Sequence, residues 1–148
     1  MGEIRNAQIK DFKFLSKIFS LNIPKYFDKK ELDDFKKYFD SKNIQSYFII
    51  ESQGLMLGGA GYAYENAKTA RICWVFIDPN YHSMGLGKKL VNYCIEILKN
   101  DNQLNVIEVE TSNLTYKFYE KLNFEIKFIK KDYWPNNDDL YFMNMDLI

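Results

Sequence analysis

The chain has 148 residues, of which 47% are apolar and 17% aromatic, enough for one domain with a sizeable core. Its 20 basic residues balance 20 acidic ones, so no bulk attraction to nucleic acid or to an anionic membrane surface is expected. No apolar stretch approaches the length of a membrane span, and the first residues lack the apolar core of a signal peptide. These features predict a single cytoplasmic domain over residues 1–148.

The first predicted elements are a short strand at residues 4–7 and a helix directly after it. Phe12, Leu15 and Phe19 recur at helical spacing and form one apolar stripe. Asp11 stands immediately before that stripe, where an acidic side chain can cap a helix.

A second helix is predicted from the capping-box spacing of residues 28–31. Leu32, Phe35 and Phe39 form its apolar stripe, and the helix is expected to end near residues 41–43. Two strands follow, at 46–54 and 55–65, and Gly54 between them predicts a hairpin.

The second half of the chain alternates strands and helices. Residues 71–78 are an almost continuous apolar run, which predicts a central strand buried on both faces. The other predicted elements are helices at 86–98 and 114–122 and strands at 105–111, 124–131 and 139–147. Strands and helices mixed in this way predict an α/β (α+β) fold, in which a sheet carries helices on its faces.

A glycine-rich segment precedes the helix at 86–98. Gly85 and Gly87 stand at its start, and Lys88 and Lys89 follow in the first turn. A helix N-terminus presents unpaired backbone N–H groups and a partial positive charge, and glycine lets an anion approach closely. The segment therefore predicts an anion site, although a plain strand-to-helix turn is an equal alternative on these residues alone.

Other phosphate-binding patterns are a poor match. The segment has neither GxxxxGK[ST] nor GxGxxG. A second glycine run, Gly58-Gly59-Ala60-Gly61, could belong to a nucleotide-binding module, but a strand-like sequence follows it and no helix dipole would be available. Cys73 and Cys94 are too few for a metal site and are expected to be free thiols.

Four segments resemble motifs of the GCN5-related N-acetyltransferases, the GNAT superfamily, in the expected order. Residues 82–87, HSMGLG, are similar to the acyl-CoA motif [Q/R]-x-x-G-x-[G/A], with His82 where Gln or Arg is usual. Residues 4–11 and 54–62 resemble the family's first strand and helix start and its second hairpin. Residues 118–124, FYEKLNF, resemble its F-Y-E-K-x-G-F motif, with Asn123 in place of Gly.

The resemblance implies a fold and a cofactor. The fold is a central mixed, mostly antiparallel sheet of about seven strands flanked by about four helices, and the co-substrate is acetyl-CoA, with no metal. Acetyl-CoA is expected in a cleft between two central strands, with its pyrophosphate on backbone N–H groups of residues 83–88. The backbone of residues 75–77 is expected to pair with the pantetheine arm, and an amide near Ile77 to polarise the thioester carbonyl. The implied cofactor-binding residues are Val75, Phe76, Ile77, His82, Ser83, Met84, Gly85, Leu86, Gly87, Lys88 and Asn113.

Two of these assignments carry alternatives. The spacing from Asn113 to Tyr119 is one residue shorter than the usual pattern, so Ser112 could take the place of Asn113. His82 is the only histidine of the chain, but its place in the motif favours a positioning role over general base catalysis.

The resemblance also implies catalytic residues. Tyr119 stands at the position of the family's general acid; a phenol with a pKa of about 10 can protonate a thiolate whose thiol has a pKa of about 8.5. Tyr116 is a local competitor. Glu108 is the implied base, but Glu110 lies on the same strand face, and both could instead be solvated or ion-paired while a water relay takes the proton.

The acceptor is expected to be a primary amine, on a small molecule or on a protein N-terminus or lysine. The resemblance implies that residues 24–27 and 133–135 lie near the acceptor. Their aromatic residues could equally belong to the core. A non-catalytic acyl-CoA-binding or sensor domain is the main alternative. No nucleic acid or membrane partner is expected. The oligomeric state is not readable from the sequence, and a homodimer stays open because dimers are common among relatives.

Overall fold

The computed structural model describes residues 2–40 and 42–148. The strands are β1 (Glu3–Asn6), β2 (Tyr47–Ser52), β3 (Leu55–Asn66), β4 (Thr69–Ile77), β5 (Val106–Thr111), β6 (Glu125–Trp134) and β7 (Asp138–Asp146). The α-helices are α1 (Phe12–Leu21), α2 (Glu31–Asp40), α3 (Leu86–Lys99) and α4 (Tyr116–Glu120). Short 3-10 helices lie at Ile9–Asp11, Lys42–Ser46, Pro79–Tyr81 and Pro135–Asn137.

The strands form one sheet in the order β1-β2-β3-β4-β5-β7-β6. β4 and β5 pair in parallel, Thr69–Arg71 against Val106–Glu108. The pairs β1–β2, β2–β3, β5–β7 and β6–β7 are antiparallel. This is the predicted mixed and mostly antiparallel sheet, and the prediction of seven strands with four helices is confirmed. Within the described residues no helix is both long and apolar enough to cross a membrane.

The chain forms two compact units. The first runs to Tyr62 and also contains Trp74–Cys94, and the second contains Ala63–Cys73 and Ile95–Ile148. The first unit therefore includes β1, β2, α1 and α2, and the second includes β5, β6, β7 and α4. That residues 1–148 act as a single domain stays a prediction.

The first unit has an aromatic core. Phe19 stacks on Phe35 with ring centroids 5.7 Å apart, and the edge of Phe76 meets the same ring of Phe19 at 5.3 Å. Phe39 and Tyr47 are also fully buried, and Tyr47 lies 5.4 Å from Phe35. Each buried large side chain contributes about 1.5–3 kcal/mol of transfer free energy. The stripes predicted for the first two helices thus form a single core, as their spacing indicates.

Helix α1 begins after Asp11, but not by the predicted cap. The Asp11 carboxylate makes no capping hydrogen bond to α1. It accepts the backbone N–H of Gln8 at 2.7 Å and two hydrogen bonds from Arg5, at 2.9 and 3.0 Å. The side chain therefore turns back toward β1, because a bidentate pair with a guanidinium stabilises the carboxylate more than a single N–H does.

Helix α2 ends at Asp40, and Ser41, at the predicted end, lies outside the described residues. The hairpin between β2 and β3 turns at Gln53 and Gly54, which both have positive φ. In α3, Leu90, Cys94 and Leu98 recur at a spacing of four residues and are fully buried, so they form one buried face of the helix.

Three elements differ from their predictions. α4 is limited to Tyr116–Glu120, and β6 extends to Trp134, past the predicted end at 131. The run at 71–78 is buried on both faces only at Phe76 and Ile77, whereas Cys73, Trp74 and Val75 are half-buried. Trp74 has a φ of 54°. A left-handed residue within a strand interrupts the alternation of the two faces.

Candidate functional site

The residue before α3 is a glycine, which has no side chain to cap the helix. The backbone N–H of Lys89 donates to the carbonyl of Gly85 at 3.1 Å, so Gly85 is the N-cap residue. The N–H groups of Leu86, Gly87 and Lys88 precede this first helical bond and have no partner within the helix. The first turn also contains no acidic residue. This end of α3 therefore presents a partial positive charge and free donors, the arrangement that suits a phosphate group.

The loop in front of α3 is open. Ser83, Met84 and Gly85 are exposed, and both Ser83 and Gly85 have positive φ, at 66° and 79°. A Cβ placed on Gly85 would meet no atom within 4 Å. Leu86 is buried and anchors the helix, so only its backbone can face a ligand. The glycine loop, residues 82–87, thus fits a pyrophosphate by its donors and by the open space before it.

The two lysines of the first turn differ. Lys89 Nζ donates to the carbonyl of Gly2. Lys88 is exposed, and in residues 2–40 and 42–148 no ion pair or side-chain hydrogen bond involves its ammonium. Lys88 is therefore the cation that is available to an anion at this helix terminus.

The end of β4 offers backbone rather than side chains. Phe76 and Ile77 are buried and Val75 is half-buried. Phe76 packs edge-on against Phe19 and Phe35, at 5.3 Å in both cases. Any contact of these three residues with a pantetheine arm would therefore use their peptide groups, as the resemblance implies.

His82 contacts the end of β4. Its Nε2 lies 2.9 Å from the carbonyl oxygen of Ile77, and its ring meets the edge of Tyr26 with centroids 5.4 Å apart. A carbonyl oxygen can only accept, so Nε2 carries the hydrogen and donates. These contacts support the interpretation of His82 as a positioning residue.

Tyr119, in the second unit, lies on α4 and is 6% exposed. Its ring meets Phe118 at 4.9 Å and Phe124 at 5.6 Å, both edge-on. The competitor Tyr116 stacks flat on Tyr141, with centroids 4.2 Å apart. The two tyrosines therefore have different surroundings, although they lie on the same short helix.

Both carboxylates proposed for the base contact Arg71. Glu108 Oε1 accepts from Arg71 Nε at 3.0 Å and from Nη2 at 2.6 Å, and Glu110 Oε1 lies 2.6 Å from Nη1. Glu65 lies 3.5 Å from Nη1. Burial opposes the charge of the guanidinium, but the hydrogen bond with Glu108 and the attraction of the three carboxylates outweigh it and raise the pKa of Arg71 above its ordinary value. One cation is thus shared by three carboxylates.

This cluster bears on the predicted base. Alternation places Glu108 and Glu110 on one face of β5, as predicted, and Arg71 stands opposite Glu108 in the parallel ladder. Glu108 accepts two hydrogen bonds from the guanidinium through Oε1, so this oxygen is occupied by the ion pair. The role of Glu108 as a base stays a prediction, and its contacts favour the ion-paired alternative.

Asn113 and Ser112 also have protein partners. Asn113 Oδ1 accepts the backbone N–H of Asp139 at 2.9 Å. Ser112 Oγ accepts the N–H of Leu114 at 3.3 Å. The contact between one of them and pantetheine stays a prediction; for Asn113 it would fall to the amide nitrogen.

The two segments predicted for the acceptor are partly core. Phe27 packs against Phe19 at 4.5 Å and so belongs to the aromatic core of the first unit. Tyr26 is half-buried and touches His82. In the second unit, Trp134 Nε1 donates to the carbonyl of Thr111 at 3.1 Å, while Tyr133 is 45% exposed. Tyr133 is thus the exposed aromatic residue of these segments, and Tyr26, Phe27 and Trp134 are half-buried.

The other glycine run has a packing role. Gly58, Gly59 and Gly61 lie within β3, where an added Cβ would come within 2.3 Å of the Phe76 carbonyl, 2.6 Å of the Tyr47 ring and 2.6 Å of the Ser46 carbonyl. No helix begins after the run, because β3 continues to Asn66. These positions are small because neighbouring atoms are close, which favours a packing role over the nucleotide-binding alternative.

The comparisons with known proteins decide the family. The model of the acetyltransferase (GNAT) family matches residues 12–124. The chain belongs to this family. The match includes β4, the glycine loop, α3 and α4, and it assigns acetyl transfer to the protein in general terms. Among proteins with curated descriptions, none matches the sequence significantly.

Many solved structures share the fold. The ribosomal-protein-S18-alanine N-acetyltransferase from Escherichia coli is 19% identical, with a TM-score of 0.83 over 99% of this chain and 94% of that one. Ard1 from Thermoplasma volcanium is 19% identical, with a TM-score of 0.81 over 99% and 98%. YncA from Salmonella typhimurium, a structure with its cofactor acetyl-CoA, is 17% identical, with a TM-score of 0.80 over 100% and 95%. At these identities the similarity establishes the fold, and the predicted donor is the one found in the YncA structure.

Sequence reasoning missed two residues with structural roles at these sites. Arg71 opens an apolar run, and a partly buried arginine calls for a carboxylate partner, so its ion pair could have been anticipated. Asn22 donates to the carbonyl of Ile77, which is 55 residues away, and no local pattern indicates such a contact. In the part of the chain that the structure describes, no three His, Cys, Asp or Glu side chains could hold a metal ion; the prediction that no metal is used stays a prediction.

Proposed function

We propose that this acetyltransferase moves the acetyl group of acetyl-CoA to a primary amine, on a small molecule or on a protein N-terminus or lysine. The observation that carries the proposal is the N-terminus of α3, where Gly85 replaces a side-chain cap and the following N–H groups have no helical partner. Two structural neighbours support it: the E. coli protein is an N-acetyltransferase, and the S. typhimurium structure contains acetyl-CoA.

On the donor side the chain would act mainly through backbone N–H groups. Those of residues 83–88 would hold the pyrophosphate, with the Lys88 ammonium beside them. Bound acetyl-CoA supplies an acetyl group activated as a thioester. The N–H of Ile77 would donate to the thioester carbonyl and stabilise the negative charge that develops on its oxygen; losing one donor of this kind costs about two to three decades of rate.

Tyr119 is proposed as the general acid. When the acceptor nitrogen bonds to the acetyl carbon and the carbon–sulfur bond breaks, the departing sulfur needs a proton, which the Tyr119 hydroxyl would donate. Tyr119 is favoured over Tyr116 by its place in the family motif, and the flat stacking of Tyr116 on Tyr141 gives the competitor a packing role.

For the proton of the acceptor amine we propose a water relay to solvent. Glu108 and Glu110 are both held by Arg71 at 2.6 Å, so the bonded oxygen of each carboxylate is directed at the guanidinium. Their proposed role is to neutralise Arg71 where β4 and β5 pair. Tyr133, which is exposed, and Tyr26, which is half-buried beside His82, are the aromatic groups proposed to contact the acceptor.

The test begins with binding. The purified protein is titrated in a calorimeter with acetyl-CoA, CoA, ATP and NAD in parallel. Micromolar binding of acetyl-CoA and CoA, without binding of ATP or NAD, is expected, followed by thiol release with at least one member of a panel of amines and peptides. CoA binding without release across the panel would favour the non-catalytic sensor alternative. Absence of CoA binding would overturn the proposed function.

A further inference from the structure

The peptide group between Ile77 and Asp78 is held from both sides. The carbonyl oxygen of Ile77 accepts hydrogen bonds from Asn22 Nδ2 at 3.1 Å and from His82 Nε2 at 2.9 Å. The N–H of the same peptide, on Asp78, donates to the carbonyl of Leu57 at 2.8 Å. Because a peptide group is planar and rigid, three hydrogen bonds on its two ends fix its orientation.

The two side-chain donors are themselves held in place. Asn22 is 3% exposed and follows α1 directly, and its Nδ2 also donates to the carbonyl of Ile18 at 2.9 Å. A buried amide is costly unless its hydrogens are bonded, so this side chain has little freedom to leave Ile77. The ring of His82 rests against the edge of Tyr26. The clamp, defined as Asn22 and His82 on the Ile77 carbonyl, joins the end of α1, the end of β4 and the glycine loop.

We propose that Asn22 and His82 are positioning residues for the backbone N–H of Ile77. This inference rests on the proposed function, in which that N–H donates to the thioester carbonyl. Ile77 carries both the held carbonyl and the donating N–H, and only two backbone dihedral angles separate the two peptide planes. Holding one plane therefore limits the directions in which the N–H can point. A preorganised donor stabilises developing charge only when it is already aimed at the oxygen.

The geometry separates this role from general base catalysis by His82. Nε2 donates to Ile77 whether or not Nδ1 carries a proton, so the clamp does not depend on the protonation state of the ring. Any side chain that places an N–H at the same point could replace it. The amide of glutamine offers such a donor, whereas alanine does not, and glutamine has no group that could act as a base.

The clamp can first be tested in the ligand-free protein. Amide hydrogen exchange at Asp78 is compared in the wild type, His82→Ala, His82→Gln and Asn22→Asp. Losing one hydrogen bond of about 0.5–1.5 kcal/mol corresponds to an exchange rate about three- to tenfold faster. That increase is expected in His82→Ala and Asn22→Asp, and the free energy of unfolding of His82→Ala should fall by no more than this one hydrogen bond contributes. Unchanged exchange at Asp78 in both variants would overturn the clamp.

Kinetics and CoA affinity then test the consequence. In His82→Ala we expect kcat to fall about tenfold to a hundredfold, with a smaller change in the calorimetric Kd for CoA, because misplacing a donor penalises the transition state more than the bound ground state. His82→Gln should recover most of the lost rate. Wild-type kcat in His82→Ala, or a His82→Gln variant as slow as His82→Ala, would overturn the positioning role.

The same measurements separate the two proposals. A wild-type protein that neither binds CoA nor transfers acetyl would overturn the proposed function. The exchange rate at Asp78 would in that case still decide whether Asn22 and His82 hold this peptide, because it involves no ligand. A wild type that is active, with unchanged kcat in His82→Ala, would leave the proposed function intact and overturn this inference alone.

Discussion

Gly54 and Gly85 adopt the same left-handed backbone conformation, with φ angles of 80° and 79°. At both positions an added Cβ would meet no atom within 4 Å. Gly54 lies in the turn between β2 and β3, whereas Gly85 caps α3. The same substitution at these two glycines therefore imposes the same backbone strain, about 1–2 kcal/mol. The two positions differ in that only Gly85 lies before a helix N-terminus.

Gly85→Glu is expected to weaken CoA binding. The new carboxylate would stand in the open space before the N–H groups of α3 and repel the pyrophosphate. Charge-assisted hydrogen bonds are each worth about 1.5–3 kcal/mol, so the Kd for CoA should rise about tenfold to a hundredfold. Isothermal titration of the variant with CoA measures this change.

Gly54→Glu is the matched control for that titration. It should lower the free energy of unfolding by a similar amount as Gly85→Glu, since both glycines have positive φ. Its Kd for CoA should equal that of the wild type. Equal affinities in the two variants would show that the glycine loop is a turn without an anion, which is the plain alternative for this segment.

Tyr119→Phe is expected to lower turnover without changing the affinity for CoA. General acid catalysis contributes about 10²–10⁴-fold to a rate, so kcat should fall about a hundredfold and the Kd for CoA should stay within error. Tyr116→Phe removes the same hydroxyl from the same helix, where the ring stacks on Tyr141, and should keep the wild-type rate. If Tyr116→Phe is the slow variant, the acid has been assigned to the wrong tyrosine.

Most of the fold could be predicted because its signals are local. Helical spacing at Phe12, Leu15 and Phe19 and the hairpin at Gly54 depend on residues close in sequence. The end of β4 could not be predicted in the same way, since the apolar run at 71–78 contains no sign that Trp74 adopts a φ of 54°. The backbone is held there by a contact from a distant strand: the Tyr47 hydroxyl on β2 donates to the Trp74 carbonyl at 2.8 Å.

The candidate site likewise contains features with a local sequence signal and features without one. The glycine loop is contiguous and could be read from residues 82–87. The contacts of the residues around it could not be predicted, because they join distant parts of the chain. Asn22 donates to Ile77, and Arg71 donates to Glu108, 37 residues away. The sequence could place Glu108 and Glu110 on one strand face, but whether they face solvent or a cation depends on the strand paired beside them.

Glu108→Gln should affect stability more than turnover. Glutamine keeps the size of the side chain but removes one of the carboxylates that neutralise Arg71, at a buried position with 9% exposure. We expect the free energy of unfolding to fall by about 1–3 kcal/mol, as for a lost hydrogen bond between charged groups. Urea unfolding measures the loss, and Glu65→Gln, farther from Arg71 and more exposed, is the control with a smaller effect.

Steady-state kinetics of Glu108→Gln test whether Glu108 also acts as the general base. With Glu108 held by Arg71, kcat should fall by less than about fivefold, whereas removal of a general base costs about a hundredfold or more. A hundredfold loss at unchanged stability would return Glu108 to the base role that the resemblance implies and would remove the need for a water relay.

The pair of Arg5 and Asp11 predicts a dependence of stability on pH. Burial opposes the charge of the Asp11 carboxylate, but hydrogen bonds from Arg5 and from the Gln8 backbone, with the attraction of Arg5, outweigh it, so the pKa of Asp11 is lowered in the folded protein. The folded state therefore binds this proton less readily than the unfolded state, whose Asp has a pKa of about 3.9. The stabilisation is complete above that value and is lost as the pH falls through the lowered pKa.

Asp11→Asn should remove this contribution. Its free energy of unfolding should lie below that of the wild type at neutral pH, and the gap should close as the pH falls below about 4. Urea unfolding gives the free energy of unfolding of both proteins across acidic pH. The contributions of the other carboxylates are the same in both proteins and cancel in the difference. A gap that stays constant with pH would mean that Asp11 contributes through its hydrogen bonds in either protonation state, and that its charge adds nothing to the pair with Arg5.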